Sequence, residues 1–318
     1  MGNRGEGMEK RILGVAVPLY ISNYCDSNCS MCNMRKNNSN LIRVDGNETE
    51  IKEQLEILYY TECLTWVMFL SGEYKMGEYR KHHLKKVVKV TNAALEMGFE
   101  RITLNIGALD ENDILYLYSG IVSPEKIGLA VFQETYNHDN YRKEFGSYSM
   151  DIPKSDYEKR YQTPEKWLTQ GFSQINLGIL AGAGNLREDV DAMILHARYL
   201  KEKYSCTIQV SLPRIVQNHG ACSDSIYLDY IRYVRRMLPW AEIILTTREK
   251  KEFIEQALPY IDVLSPGTSE VLGYTQWGKI GNNPQKSQFF VEEKRERPSE
   301  VLQYFKTRFP IEYKYVRR

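Results

Sequence analysis

The sequence predicts an α/β protein, a (βα)8 barrel of the TIM type built as a single domain. Three observations predict it. Eight short β-rich runs alternate with longer amphipathic segments, the pattern of a parallel sheet with helical crossovers. A polar or glycine-rich signal follows nearly every run, and in a barrel those positions gather at the rim formed by the C-terminal ends of the strands. The length, 318 residues, suits one α/β barrel.

The strands are expected at Leu13–Ile21, Thr65–Leu70, Arg101–Ile106, Gly128–Phe132, Gln174–Leu180, Thr207–Leu212, Glu242–Thr246 and Ile261–Leu264. Each is a short apolar run rich in β-branched or aromatic residues. Helical periodicity marks Glu48–Tyr60, Glu78–Met97, Leu186–Lys203, Ser225–Leu238 and Glu249–Leu258. Asn47 followed by Glu50 reads as a capped start of the first helix. Gly98 reads as the C-cap of the second. Pro164 suits the first turn of a helix that begins after Thr163. The barrel is expected over residues 1–275. Residues 276–318 are expected to form a tail on it, with a helix near Pro298–Phe305.

Bulk composition excludes several classes. The chain is 42% hydrophobic and 26% charged, with a net charge of +1, so nothing points to nucleic acid or to an anionic membrane. No apolar stretch is long enough for a transmembrane helix, and the polar N-terminus does not resemble a secretory signal. Cys63, Cys206 and Cys222 are scattered and read as free thiols, which implies a reducing, cytoplasmic setting.

The strongest chemical signal is Cys25-Asp-Ser-Asn-Cys29-Ser-Met-Cys32, a C-x3-C-x2-C spacing. Three neighbouring thiolates can hold three irons of a 4Fe–4S cubane and leave the fourth open to a ligand. The competing reading is half of a zinc site, which needs a further ligand. The nearest histidine in sequence is His82.

The other rim signals each admit two readings. Ser71-Gly72-Glu73 is either a plain loop or a site where backbone and carboxylate meet a cationic ligand. Gln133-Glu134-Thr135-Tyr136 is a solvated loop or supplies Glu134 to a ribose or cofactor. Arg160 is solvated ahead of a helix or partners a carboxylate through paired hydrogen bonds. Ile179 and Leu180 end the fifth strand, where main-chain groups can hold a base against apolar side chains. Arg248 opens a helix or binds a substrate carboxylate. Gly182-Ala183-Gly184, Pro213-Arg214 and Ser265-Pro266-Gly267 complete the rim.

Taken in order, these motifs resemble the aromatic amino-acid lyases of the radical S-adenosylmethionine (radical SAM) superfamily. The segments that carry the likeness are Pro18 to Cys25, the cysteine triplet, Ser71-Gly72-Glu73, Phe132 to Tyr136, Gln162-Thr163-Pro164, Ser211 to Arg214, Thr246 to Glu249, Gly273-Tyr274 and a tail from Gln288-Phe289 to Val301. The resemblance implies a 4Fe–4S cluster on Cys25, Cys29 and Cys32. It implies S-adenosylmethionine on the open iron, with Ser71, Gly72 and Glu73 meeting its ammonium, and a 5′-deoxyadenosyl radical that initiates carbon–carbon cleavage of an amino acid. Tyr20 matches a tyrosine that lines the substrate site in such a lyase. A one-electron donor such as flavodoxin or ferredoxin is implied as partner.

The chain departs from the family's pattern in three places. Met31 stands where an aromatic residue usually precedes the third cysteine. Asn33-Met34 replaces a common Gly-Phe. Thr268 and Ser269 stand where the family carries a basic residue for the substrate carboxylate, so Arg248, ahead of Arg214, is the expected replacement. That last departure keeps a second function open: a maturase or biosynthetic enzyme that rearranges, methylates or sulfurates another small molecule. A non-catalytic metal-binding scaffold is the third.

Overall fold

The computed structural model describes residues 10–215, 222–246, 249–267, 270–275, 281, 283–288 and 296–317. Strands β1 (Arg11–Val15) and β2 (Val17–Tyr20) form one run broken only at Ala16. The other strands are β3 (Trp66–Leu70), β4 (Arg101–Asn105), β5 (Ile127–Glu134), β6 (Gln174–Ile179), β7 (Thr207–Ser211), β8 (Glu242–Leu245), β9 (Val263–Leu264) and β10 (Ile311–Lys314). All pair in parallel, in the order β10-β1-β9-β8-β7-β6-β5-β4-β3-β2.

β1, next to the β10 end of that order, and β2, at its other end, belong to one run. Val15 in β1 pairs with Leu264, whereas Val17 in β2 pairs with Val67. The β1–β2 run therefore joins the ends of the sheet and makes it a barrel of eight staves. These staves coincide with the eight expected runs to within a residue or two, apart from a longer β5. Strands buried on both faces read as uninterrupted apolar runs, which is why they are legible.

Helices alternate with the strands: α1 (Glu48–Glu56), α2 (Glu78–Met97), α3 (Glu111–Gly120), α4 (His138–Phe145), α5 (Tyr157–Thr169), α6 (Leu186–Lys203), α7 (Asp224–Met237), α8 (Lys251–Ala257) and α9 (Pro298–Lys306). Asn47 and Glu50 form a reciprocal capping box at α1, which passes at Ile57 into a π-helical turn. Gly98 caps α2. The Pro164 expectation is overturned. α5 starts earlier because the Asp156 carboxylate caps it through the Lys159 amide, 2.9 Å away. Pro164 lies inside the helix and leaves the Arg160 carbonyl without its usual donor.

The tail adds an unforeseen strand. β10 pairs with β1 from Arg11↔Ile311 to Gly14↔Lys314, and Leu64 bridges Val316 on its other side. At the N-terminal end of the barrel β10 thus sits between β1 and the segment entering β3. Glu62, buried there, holds the tail through Arg297 at 2.7 Å and the Ser299 amide at 3.0 Å. Among the described residues no helix is long and apolar enough to cross a membrane.

Candidate active site at the barrel mouth

A cavity opens at the C-terminal ends of the strands, and it is lined on one side by Cys25, Cys29 and Cys32. Backbone groups hold their loop in place. The buried Asn23 side chain accepts from the Val44 amide at 2.7 Å and donates to the Ile42 carbonyl at 2.9 Å. Arg43 donates to the carbonyls of Asn23, Met34 and Arg35 at 2.6, 2.9 and 2.7 Å. Cys29 packs on Tyr141 and Phe145 of α4.

The Ser71-Gly72-Glu73 turn is bound to that loop, since the Asp26 amide donates to the Glu73 carbonyl at 2.8 Å. A Cβ at Gly72 would lie 2.2 Å from the Tyr24 carbonyl oxygen and 2.5 Å from the Cys25 Cβ. Glycine is required there for contact between the two loops. The Ser71 hydroxyl lies 3.0 Å from Nε2 of His83, a buried ring whose pKa burial lowers to about 3. This imidazole is therefore neutral.

Two buried ion pairs face the cavity. Glu73 pairs with Arg160, which also donates to the Phe132 carbonyl at 2.8 Å. Burial lowers the Arg160 pKa to about 10, opposed by the nearby Cys29 and Cys25. Glu134 pairs with Lys154 at 2.5 Å. Burial opposes the Lys154 charge, but Glu134 and Cys29 outweigh it and hold the ammonium protonated. Glu134 follows a bulge in β5 and takes the left-handed φ of +69°. A non-glycine residue held so is strained, a device common at functional sites.

The structure brings Tyr20, Cys25, Cys29, Cys32, Ser71, Gly72, Glu73, Glu134, Arg160 and Leu180 to one cavity. Ile179 is fully buried one residue earlier and is not on its wall. Arg248 lies outside the described residues. Arg214 is engaged elsewhere: its guanidinium grips Glu249 and meets Asp224 at 2.7 Å. Sequence reasoning missed Lys154, a lone lysine in a loop, and found Gln288 only as part of a familiar tail. Gln288 reaches the wall, and its Oε1 accepts the Tyr20 hydroxyl at 2.7 Å.

The donor set fits an iron–sulfur cluster. All three thiols are free of disulfides and surround one space, near enough for each to affect the others' charge. Burial raises Cys25 to about 11 and Cys29 to about 12, so the bare thiols keep their protons until a metal displaces them. Two buried ion pairs beside the thiols suit a zwitterionic cofactor.

Barrel, thiol-lined mouth and relatives together liken the chain to radical SAM enzymes of the lyase type, whose cofactors are a 4Fe–4S cluster and S-adenosylmethionine. Its relatives are specific. The chain is 26% identical to the 2-iminoacetate synthase of Escherichia coli K12 over 297 residues, covering 90% of this chain and 73% of that protein. The Salmonella typhimurium protein of the same name is 25% identical over the same span. The FeFe-hydrogenase maturase HydG from Carboxydothermus hydrogenoformans superposes with a TM-score of 0.79 at 25% identity, covering 95% of this chain and 67% of that one. Methylornithine synthase shares the fold, with a TM-score of 0.69 at 21% identity, covering 96% of this chain and 84% of that one. No family model matches.

Proposed function

We propose that this chain fragments a carbon–carbon bond of an aromatic amino acid by radical SAM chemistry. One observation carries the reading: three cysteines, two buried ion pairs and the Tyr20 wall share a single cavity. When bound, the cluster and S-adenosylmethionine supply a 5′-deoxyadenosyl radical after one-electron reduction. The chain's own residues do the rest. Cys25, Cys29 and Cys32 each anchor one iron. Glu73 and Arg160 offer opposite charges to the ammonium and carboxylate of the cofactor's methionyl end. As partners of each other beforehand, they stay neutralised until the cofactor arrives. Glu134, fixed by Lys154, meets the ribose. Leu180, on the cavity wall, holds the adenine.

Tyr20 faces the substrate beside a wall of small polar groups, Ser211, Thr246 and Ser265. Arg248 is the cation for the substrate carboxylate, since Arg214 is held by Glu249 and Asp224. A flavodoxin or ferredoxin provides the electron. The engagement of Arg214, with Thr268 and Ser269 in place of a base, favours the second reading: a biosynthetic or maturase reaction on a substrate without a free carboxylate. Anaerobic incubation of the reconstituted enzyme with S-adenosylmethionine, reductant and aromatic amino acids separates the two. Mass spectrometry should find 5′-deoxyadenosine together with amino-acid fragments. Deoxyadenosine released while every amino acid stays intact would move the assignment to the second reading.

A further inference from the structure

Helix α2 holds the Ser71-Gly72-Glu73 turn at both ends. Arg80 donates to the Tyr74 carbonyl at 2.8 Å, just beyond the turn. His83, further along the helix, meets the Ser71 hydroxyl at 3.0 Å through Nε2. Tyr74 packs on that imidazole, ring centroids 4.5 Å apart, and is itself fixed by donating to the Ser22 hydroxyl at 2.9 Å. The Ser71 hydroxyl also lies 3.0 Å from the Gly72 carbonyl oxygen, which only accepts. One hydroxyl proton cannot serve both neighbours. Among the described residues the other ring nitrogen of His83, Nδ1, is buried without a partner. A proton there would be a buried N–H with no acceptor, which is costly. The proton therefore sits on Nε2, and the bonds run from His83 to Ser71 and from Ser71 to Gly72.

We propose that His83 is a positioning residue for the cofactor's ammonium, which makes the Ser71 and Gly72 oxygens a pair of fixed acceptors on the cavity wall. Both residues line the cavity. With the hydroxyl proton committed to Gly72, each of the two oxygens keeps a lone pair and neither offers a donor. An ammonium group only donates, so it suits this wall beside the Glu73 carboxylate. A hydroxyl free to rotate would have to be ordered when the cofactor binds, at a cost in affinity. The inference rests on the reading that this turn receives the methionyl end of S-adenosylmethionine.

The test is equilibrium binding of S-adenosylmethionine to the full-length, iron-reconstituted protein, without reductant, so that no cofactor is cleaved. His83→Phe keeps a ring against Tyr74 and removes the donor. It should raise the dissociation constant about fivefold, the size of one neutral hydrogen bond. Ser71→Ala should do the same, and His83→Phe added to Ser71→Ala should weaken binding no further. His83→Gln, whose amide can donate to the same hydroxyl, should stay within about twofold of the unmodified protein. 5′-Methylthioadenosine, which lacks the ammonium, should bind the unmodified protein and His83→Phe alike. Unchanged affinity for S-adenosylmethionine in His83→Phe overturns the proposal. An equal loss for 5′-methylthioadenosine also overturns it, because the whole site has then shifted. If His83→Phe fails to load iron, Ser71→Ala and His83→Gln decide: full affinity in the first, or lost affinity in the second, overturns the proposal. Unmodified protein that loads iron but binds no S-adenosylmethionine overturns the reading of the turn and this inference with it.

Discussion

Glu73 and Arg160 neutralise one another where neither could stay charged alone. The sequence singles them out on separate grounds, and only the fold makes them a pair. Glu73→Gln keeps the shape but leaves a buried guanidinium uncompensated. Breaking such a pair costs about 3–5 kcal/mol. The variant should melt earlier and bind S-adenosylmethionine more weakly, as denaturant titration and equilibrium binding will show. Unchanged affinity would make Glu73 purely structural. Gly72→Ala has a different cause. Its methyl would enter the Tyr24 carbonyl and Cys25 Cβ, so the cysteine loop must move. A destabilisation of about 1–3 kcal/mol is expected, together with a lower iron content per chain. Full iron loading with unchanged melting would remove that constraint. The cysteines and the Ser-Gly-Glu turn are legible because their chemistry depends on spacing. Lys154 is not, because its role depends on Glu134 and Cys29, which only folding brings near.

At the scale of elements, periodicity and caps carry most of the information. α2 and α6 are read to the residue because long amphipathic runs end in clear signals. α3 and α4 are short, ten and eight residues, and escape notice. Pro164 misleads because its ring suits a first turn, while Asp156 caps the helix earlier. β10 hides in an alternating polar stretch that gains meaning only beside β1. Deleting residues 308–318 should strip the β1 edge and lower the melting temperature of the whole barrel. A truncated chain that melts as before would make β10 ornamental. Two histidines on these helices give a signed pH effect. Burial lowers His83 to about 3 and His196 to about 4, below the ~6.5 of an unfolded chain. Between those values the unfolded state binds more protons, so stability falls as pH drops below ~6.5. Each histidine should cost on the order of 2 kcal/mol between pH 6.5 and 5. Urea midpoints of His196→Gln should therefore fall less steeply over that range than those of the unmodified chain. An equal slope would rule out burial of the neutral ring.

For the whole molecule, the assignment stands or falls on iron. The reconstituted protein should bind about four irons, and alanine at Cys25, Cys29 or Cys32 should abolish cofactor cleavage. Alanine at Cys63, Cys206 or Cys222 should leave it. Zinc held tightly with no iron uptake would end the radical reading. The barrel itself was legible because eight apolar runs and their rim signals repeat with one polarity. The way it closes was not, because closure depends on which neighbours one strand keeps. The β1–β2 run is that closing strand, and its pairing changes at Ala16. Above Ala16 it holds β3 over four residues. Toward β9, among the described residues, it holds two residue pairs and then the Tyr20↔Val271 bridge. The opposite wall, β5 against β6, is joined over six. A hoop with one weak weld springs at the weld. Here the weld runs up to Tyr20, which pairs with Leu70 on its other side. Thermal breathing should therefore be greatest along this seam, at the rim where the cavity opens, and amide exchange at Leu272 should outpace that at Leu177.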